Sequence, residues 1–274
     1  SELSIGCDNC HGSGQLHVQA KSHPNGQPDP TIVNPARLKP RLAEDICMRC
    51  HQGGDTRVNR PGRTEVDFRP GTWLRETLAI LKAVPQPAVA QSDVLEHHAQ
   101  MKLSRCFTGS RGSLSCFSCH RIHDRPPEDP AAKAAYFRER CFTCHTAGSC
   151  AAPAAARQRH DPPDDCSGCH MPKRDTARIS HSTLTNHRIV LRPDQPAPPQ
   201  PSAALPGLPA DLEYVNRPES GPAEIPPMML FQAYGELLGK YPQYAPTYRQ
   251  ALEEAARTSP ADPLVLASLA RKAL

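Results

Sequence analysis

The chain has 274 residues, of which 31 are proline and only 5% aromatic, with a mean hydropathy of −0.56 and a formal charge of +4. This composition excludes one large apolar core of the usual kind and would ordinarily describe a half-disordered chain. A membrane-spanning helix is excluded too, since no apolar run reaches the roughly 18 residues it needs.

In chain order, the first signal is CDNCH, Cys7 to His11, followed by Gly12, Gly14 and His17 in a stretch that reads as loop. A tract of proline, glycine and asparagine from Pro24 to Pro40 leads to a short predicted helix that brings in CMRCH, Cys47 to His51. The segment RPGRTEVDFRP, Arg60 to Pro70, is rich in arginine and turn residues. It reads either as a partner for anionic groups or as a solvated loop. Spacing predicts an amphipathic helix over Thr72 to Val84, ended by Pro85, and another from about Ser92 to Ser104 with Ser92 as N-cap. On the second of these, Val94, His98 and Met101 share a face, and His97 fits nearly as well.

Then come CFSCH, CFTCH and CSGCH, starting at Cys116, Cys141 and Cys166 at intervals of 25 residues. A short helix is predicted from about Pro130 to Arg140. A polar tract with His181 and His187 follows, and eleven prolines fall between Pro193 and Pro227. Such a strap cannot be a helix or a central strand. From Pro227 onward the pattern is alanine- and leucine-rich helix broken at Tyr241-Pro242 and Ser259-Pro260. The spacing of Leu252, Ala255, Pro260, Leu266 and Leu269 fits one degenerate tetratricopeptide unit, and a plain helical hairpin fits nearly as well.

The five CxxCH motifs carry the chemistry. In each, two thiols can add to the vinyl groups of a haem while the following histidine supplies an axial nitrogen to the iron. Zinc frameworks join CxxC pairs two by two and give no reason for a histidine after every second cysteine. Five covalent c-type haems are therefore expected on Cys7, Cys10, Cys47, Cys50, Cys116, Cys119, Cys141, Cys144, Cys166 and Cys169, with proximal ligands His11, His51, His120, His145 and His170. Their propionates would add roughly ten negative charges. The basic polypeptide is accordingly no sign of a nucleic-acid partner.

Haem faces would also supply the missing apolar surface. The expected fold is mainly irregular, with short α-helices wrapped around stacked haems and a small α-helical, tetratricopeptide-like C-terminal segment. The expected division is a haem domain over 1–190, a proline-rich strap over 191–227 and a helical segment over 228–274. Attachment of this kind takes place outside the cytoplasm, so a periplasmic or extracellular location is expected, with any leader removed or the sequence part of a longer chain. The two cysteines left over, Cys106 and Cys150, are expected to form a disulfide closing a loop of about 45 residues. The alternative is two unpaired thiols.

The sequence resembles large bacterial multihaem cytochromes c that join a haem domain, distantly similar to cytochrome c554 and the pentahaem nitrite reductases, to tetratricopeptide repeats. The resemblance covers about residues 5 to 190 and rests on IGCDNCHGSGQLHV, DPTIVNPARL, ICMRCHQGGDTRV, DFRPGTWL, HAQMKLSRCF, LSCFSCHRIH, DCSGCHMPK and HSTLTNHRI. It implies distal ligands at His17, His98, His123, His181 and His187, leaving His23, His97 and His160 on the surface, with Met101 the rival sixth ligand. Six-coordinate iron throughout points to electron transfer with redox partner proteins, either alone or within a homo-oligomer or filament. The competing expectation is a nitrite or hydroxylamine enzyme with an open iron. The nitrite reductases mark that iron by a lysine in place of the motif histidine, and all five motifs here end in histidine.

Overall fold

The computed structural model describes residues 5–21, 29–84, 96–175, 183–192, 194–196, 208–218, 220 and 224–273. Backbone packing divides the chain into one unit of residues 1–94 with 200–274 and a second of 95–199. In chain order the first unit contributes α1 (Asp8–His11), α2 (Gln15–Lys21), α3 (Pro40–His51), β1 (Thr56–Asn59) and β2 (Leu78–Ala83). The second contributes α4 (His97–Lys102), α5 (Arg105–Gly109), α6 (Cys116–Cys119), α7 (Pro130–Cys141), α8 (Ala154–Arg157), α9 (Cys166–His170), β3 (Lys173–Asp175) and β4 (Thr183–Thr185). The chain then returns to the first unit with β5 (Leu212–Tyr214), α10 (Pro227–Lys240), α11 (Ala245–Thr258) and α12 (Pro263–Ala273).

The first unit has a polypeptide core that the composition did not suggest. β2 is the central strand of an antiparallel sheet of order β1-β2-β5, and Leu78 to Lys82 are all buried. Its alternation sends Ala79 and Leu81 toward Met229, Ala233 and Leu237 of α10, and Leu78 and Ile80 toward Ile46 and Met48 of α3. A strand covered on both faces reads as a continuous apolar run, and periodicity cannot tell such a run from a buried helix. The helix expected over Thr72 to Val84 is therefore a 3-10 turn, Leu74–Glu76, followed by this strand.

β5 lies at the sheet edge, the one place where a strand next to a proline-rich tract is tolerated. Beyond it the buried Asn216 extends the ladder, its Oδ1 accepting from Ile80 N at 2.8 Å and its Nδ2 donating to Leu78 O at 2.9 Å. Gly54, at φ +69, lets the chain enter β1, because a Cβ there would stand 2.7 Å from both Ile80 Cγ2 and Leu81 O.

The C-terminal helices break at the two predicted points. α10 is part of the sheet core, and Thr56 Oγ1 donates to Glu236 while Lys240 donates to the Asp55 carbonyl. Phe231, Leu252, Ala255 and Val265 form a further cluster joining α10, α11 and α12. The helical segment thus packs with residues from the first 94, and the boundaries at 190 and 228 expected from composition do not coincide with the packing units.

One carboxyl in this core should give the unit a distinct pH response. Asp45 on α3 accepts from Leu74 N at 3.0 Å and lies 3.8 Å from Arg41 Nε, yet burial pushes its carboxyl up to about 6. A native value above the unfolded one makes its contribution full below about pH 4 and lost as pH rises through 6. At about 1.4 kcal/mol per unit, the loss is on the order of 3 kcal/mol. Denaturant titrations at pH 4 and pH 7 should show Asp45→Asn removing a difference of that size. Equal differences in the two proteins would assign the pH dependence elsewhere.

Candidate functional site

Each CxxCH motif lies on a turn of helix. α1, α6 and α9 begin at or beside a first motif cysteine, α3 ends on the second motif, and α7 runs into the fourth at Cys141. In the first, third and fourth motifs the histidine N–H donates to the carbonyl of the first cysteine at 2.9 Å. A turn of this kind puts the thiols, at i and i+3, on one face. Two sulfur atoms are thereby presented side by side, with the histidine at the end of the turn.

The motifs are gathered in two groups, one in each unit. In the first unit Cys10 packs against the cluster formed by Ile46 and Met48, and burial followed by the Cys50 and Cys7 thiols raises its own. In the second unit α7 packs on α6 and on α9. Burial, followed by Cys166, Cys119 and Cys106, pushes the Cys141 thiol up to about 11. Burial likewise raises Cys119, Cys166 and Cys169. Thiols held protonated are the opposite of the lowered thiol of a CxxC oxidoreductase. Among the described residues no three His, Cys, Asp or Glu side chains converge as a metal site. A haem iron asks two ligands of the chain.

The histidine geometry fits that demand. His11 Nδ1 is 2.7 Å from Val33 O, and Val33 N returns a bond to His11 O at 3.1 Å. The same bracket recurs in the second unit, where His170 Nδ1 is 2.7 Å from Val190 O and Val190 N donates to His170 O at 2.9 Å. A carbonyl only accepts, so Nδ1 carries the proton in both rings and Nε2 carries the lone pair, which is the tautomer a metal ligand needs. Nothing in the motif spacing points to Val33 or Val190.

Of the expected distal residues, His17 on α2 has Nδ1 2.6 Å from Asp29 Oδ2. Asp29 is held down to about 2 by Thr31, whose hydroxyl and N–H both donate to it, and by His17. His98 is buried on α4, as is Met101, while His123 is exposed in the turn after the third motif. His181 and His23 lie outside the described residues, as does the expected N-cap Ser92, and α4 begins at His97.

His187 has Nδ1 3.0 Å from Thr185 O, and its backbone N–H donates to Gln100 Oε1 of α4 at 2.9 Å. Its ring centre is 6.2 Å from that of the motif histidine His120, with planes 27° apart. Two imidazoles on opposite sides of one metal, at bonds of about 2 Å, have ring centres about 6 Å apart. His97, expected on the surface, is half-buried and stacks on His187 at 4.0 Å.

The Cys106 thiol lies near that of Cys144, and the Cys150 thiol near those of Cys166 and Cys169. In the 60–70 segment Arg60 donates to Arg75 O and to Tyr214 Oη, and Arg69 to Val66 O.

Comparison of the chain with family models, curated proteins and solved structures found no match. The functional reading rests on the residues described above.

Proposed function

We propose that the chain is a multihaem c-type cytochrome that carries electrons outside the cytoplasm, exchanging them with redox partner proteins. The observation that carries this reading is the contrast between the two units. The second unit holds three motifs, yet of the 25 buried apolar residues among the described ones only Met101, Ala134 and Val190 belong to it. At the same time Phe117 and Phe142, inside the third and fourth motifs, and Ile122, just after the third, are exposed. Ile5, Leu16 and Val18 are exposed in the same way around the first motif. Apolar side chains left open beside the thiol pairs of the first, third and fourth motifs are what a porphyrin face would cover.

Haem bound at these sites supplies one-electron redox chemistry. The chain's part is to hold and orient it. Cysteine pairs on helical turns would hold a haem, Val33 and Val190 fix the tautomers of His11 and His170, and His187 lies within 6.2 Å of His120, ring centre to ring centre. Two motifs in the first unit and three in the second would make two groups of closely spaced carriers. Were each iron held by two histidines, as His120 and His187 could hold one, no position would be left for substrate, and transfer is favoured over catalysis.

Intact-mass measurement of the protein made with haem-attachment machinery should show five haems. The ferric spectrum should be low-spin, and the reduced protein should not bind carbon monoxide. An apoprotein mass overturns the proposal, and rapid carbon monoxide binding at one haem replaces the carrier by an enzyme with an open iron.

A further inference from the structure

We propose that Asp29 is a positioning residue for His17 and lowers the potential of the haem that His17 serves. This rests on the reading of His17 as an axial ligand.

The acceptors facing Nδ1 of His11, His17, His170 and His187 differ in kind. His11, His170 and His187 face the backbone carbonyls of Val33, Val190 and Thr185 at 2.7, 2.7 and 3.0 Å. His17 alone among these four faces a carboxylate, at 2.6 Å. A neutral carbonyl fixes the tautomer. A carboxylate does so too, but adds a full negative charge and draws the Nδ1 proton toward itself, so that the ring gains anionic character and becomes a stronger donor through Nε2. A stronger donor and a nearby negative charge both favour ferric over ferrous iron. The outcome is a lower potential at that iron alone.

The carboxylate is built into place rather than met by chance. Its Oδ1 accepts from Thr31 N at 2.8 Å and from Thr31 Oγ1 at 2.5 Å, which leaves Oδ2 directed at the histidine. Four residues further on, Val33 brackets His11. The short segment from Asp29 to Val33 therefore sets the ring nitrogens of two histidines, one through a charge and one through a neutral dipole.

The test is a redox titration of the intact five-haem protein followed by visible absorption, with electron paramagnetic resonance of the ferric state. Asp29→Asn keeps an oxygen for the Thr31 N–H and removes the charge. About one fifth of the titration amplitude, one step of the five, should move to higher potential and one low-spin signal should shift, with haem count unchanged by mass. Asp29→Glu, which restores the charge, should return the step toward its original position.

Five attached haems with an unaltered titration in Asp29→Asn would overturn the proposal. So would equal displacement in the Asn and Glu variants, which marks a merely structural role. His17→Ala separates the two levels of the argument: if all five haems stay low-spin without His17, the ligand assignment fails and the role of Asp29 with it.

Discussion

Replacing the attachment cysteines of the third, fourth and fifth motifs by alanine should unfold residues 95–199 and leave the rest of the chain folded. Within this unit α4, α5, α6, α8 and α9 have four to six residues each, and α7 has twelve. Helices below about 12 to 15 residues are marginal in water without packing, and β3 with β4 makes only a two-stranded ribbon. The three buried apolar side chains among the described residues, worth about 1.5–3 kcal/mol each for the larger ones, cannot offset the ordering of such a unit. Polar links that cross it include Asp164 with Arg157 at 2.8 Å and Arg138 at 3.8 Å, and the His187 N–H with Gln100 Oε1 at 2.9 Å, each worth on the order of 1 kcal/mol. Haem faces would supply the apolar burial that these links do not. Limited proteolysis with mass mapping should place nearly all early cuts inside 95–199, while β1, β2, β5 and α10 stay protected. Uniform protection across the variant would show that the polypeptide supplies its own core there, and the argument for haem as core would fall.

The contrast also explains what could be read from the sequence. Attachment motifs are local, needing only i and i+3 spacing on one turn, and the structure places all five on such turns. Pro130 as N1 with Asp129 as cap, and the breaks at Pro242 and Pro260, are local as well, so α7 and the C-terminal helices appear where their sequence signals put them. β2 was not legible, because Leu78 to Lys82 are buried by α3 on one face and α10 on the other, and α10 lies some 150 residues away in sequence. The bond from His11 to Val33 and the contact between His187 and His120 are long-range in the same sense.

The second large effect is expected at His187. Its ring is held by three independent constraints: Thr185 O on Nδ1, Gln100 Oε1 on the backbone N–H, and the His97 ring stacked at 4.0 Å with planes 24° apart. The ring centre falls 6.2 Å from that of His120, with planes 27° apart. If the two close one iron from opposite sides, His187→Ala leaves that iron five-coordinate or bound to water. One haem of five should turn high-spin, gain carbon monoxide binding when reduced, and move to higher potential, with the other four unchanged. His97→Ala removes only a stacking partner and should leave all five low-spin, at a stability cost of about 0.5–1.5 kcal/mol as for other ring pairs. Gln100→Ala frees the His187 backbone and should broaden the low-spin signal of the same haem without changing its spin. The reverse pattern, with His97→Ala high-spin and His187→Ala silent, would make His97 the ligand and His187 the ring that backs it.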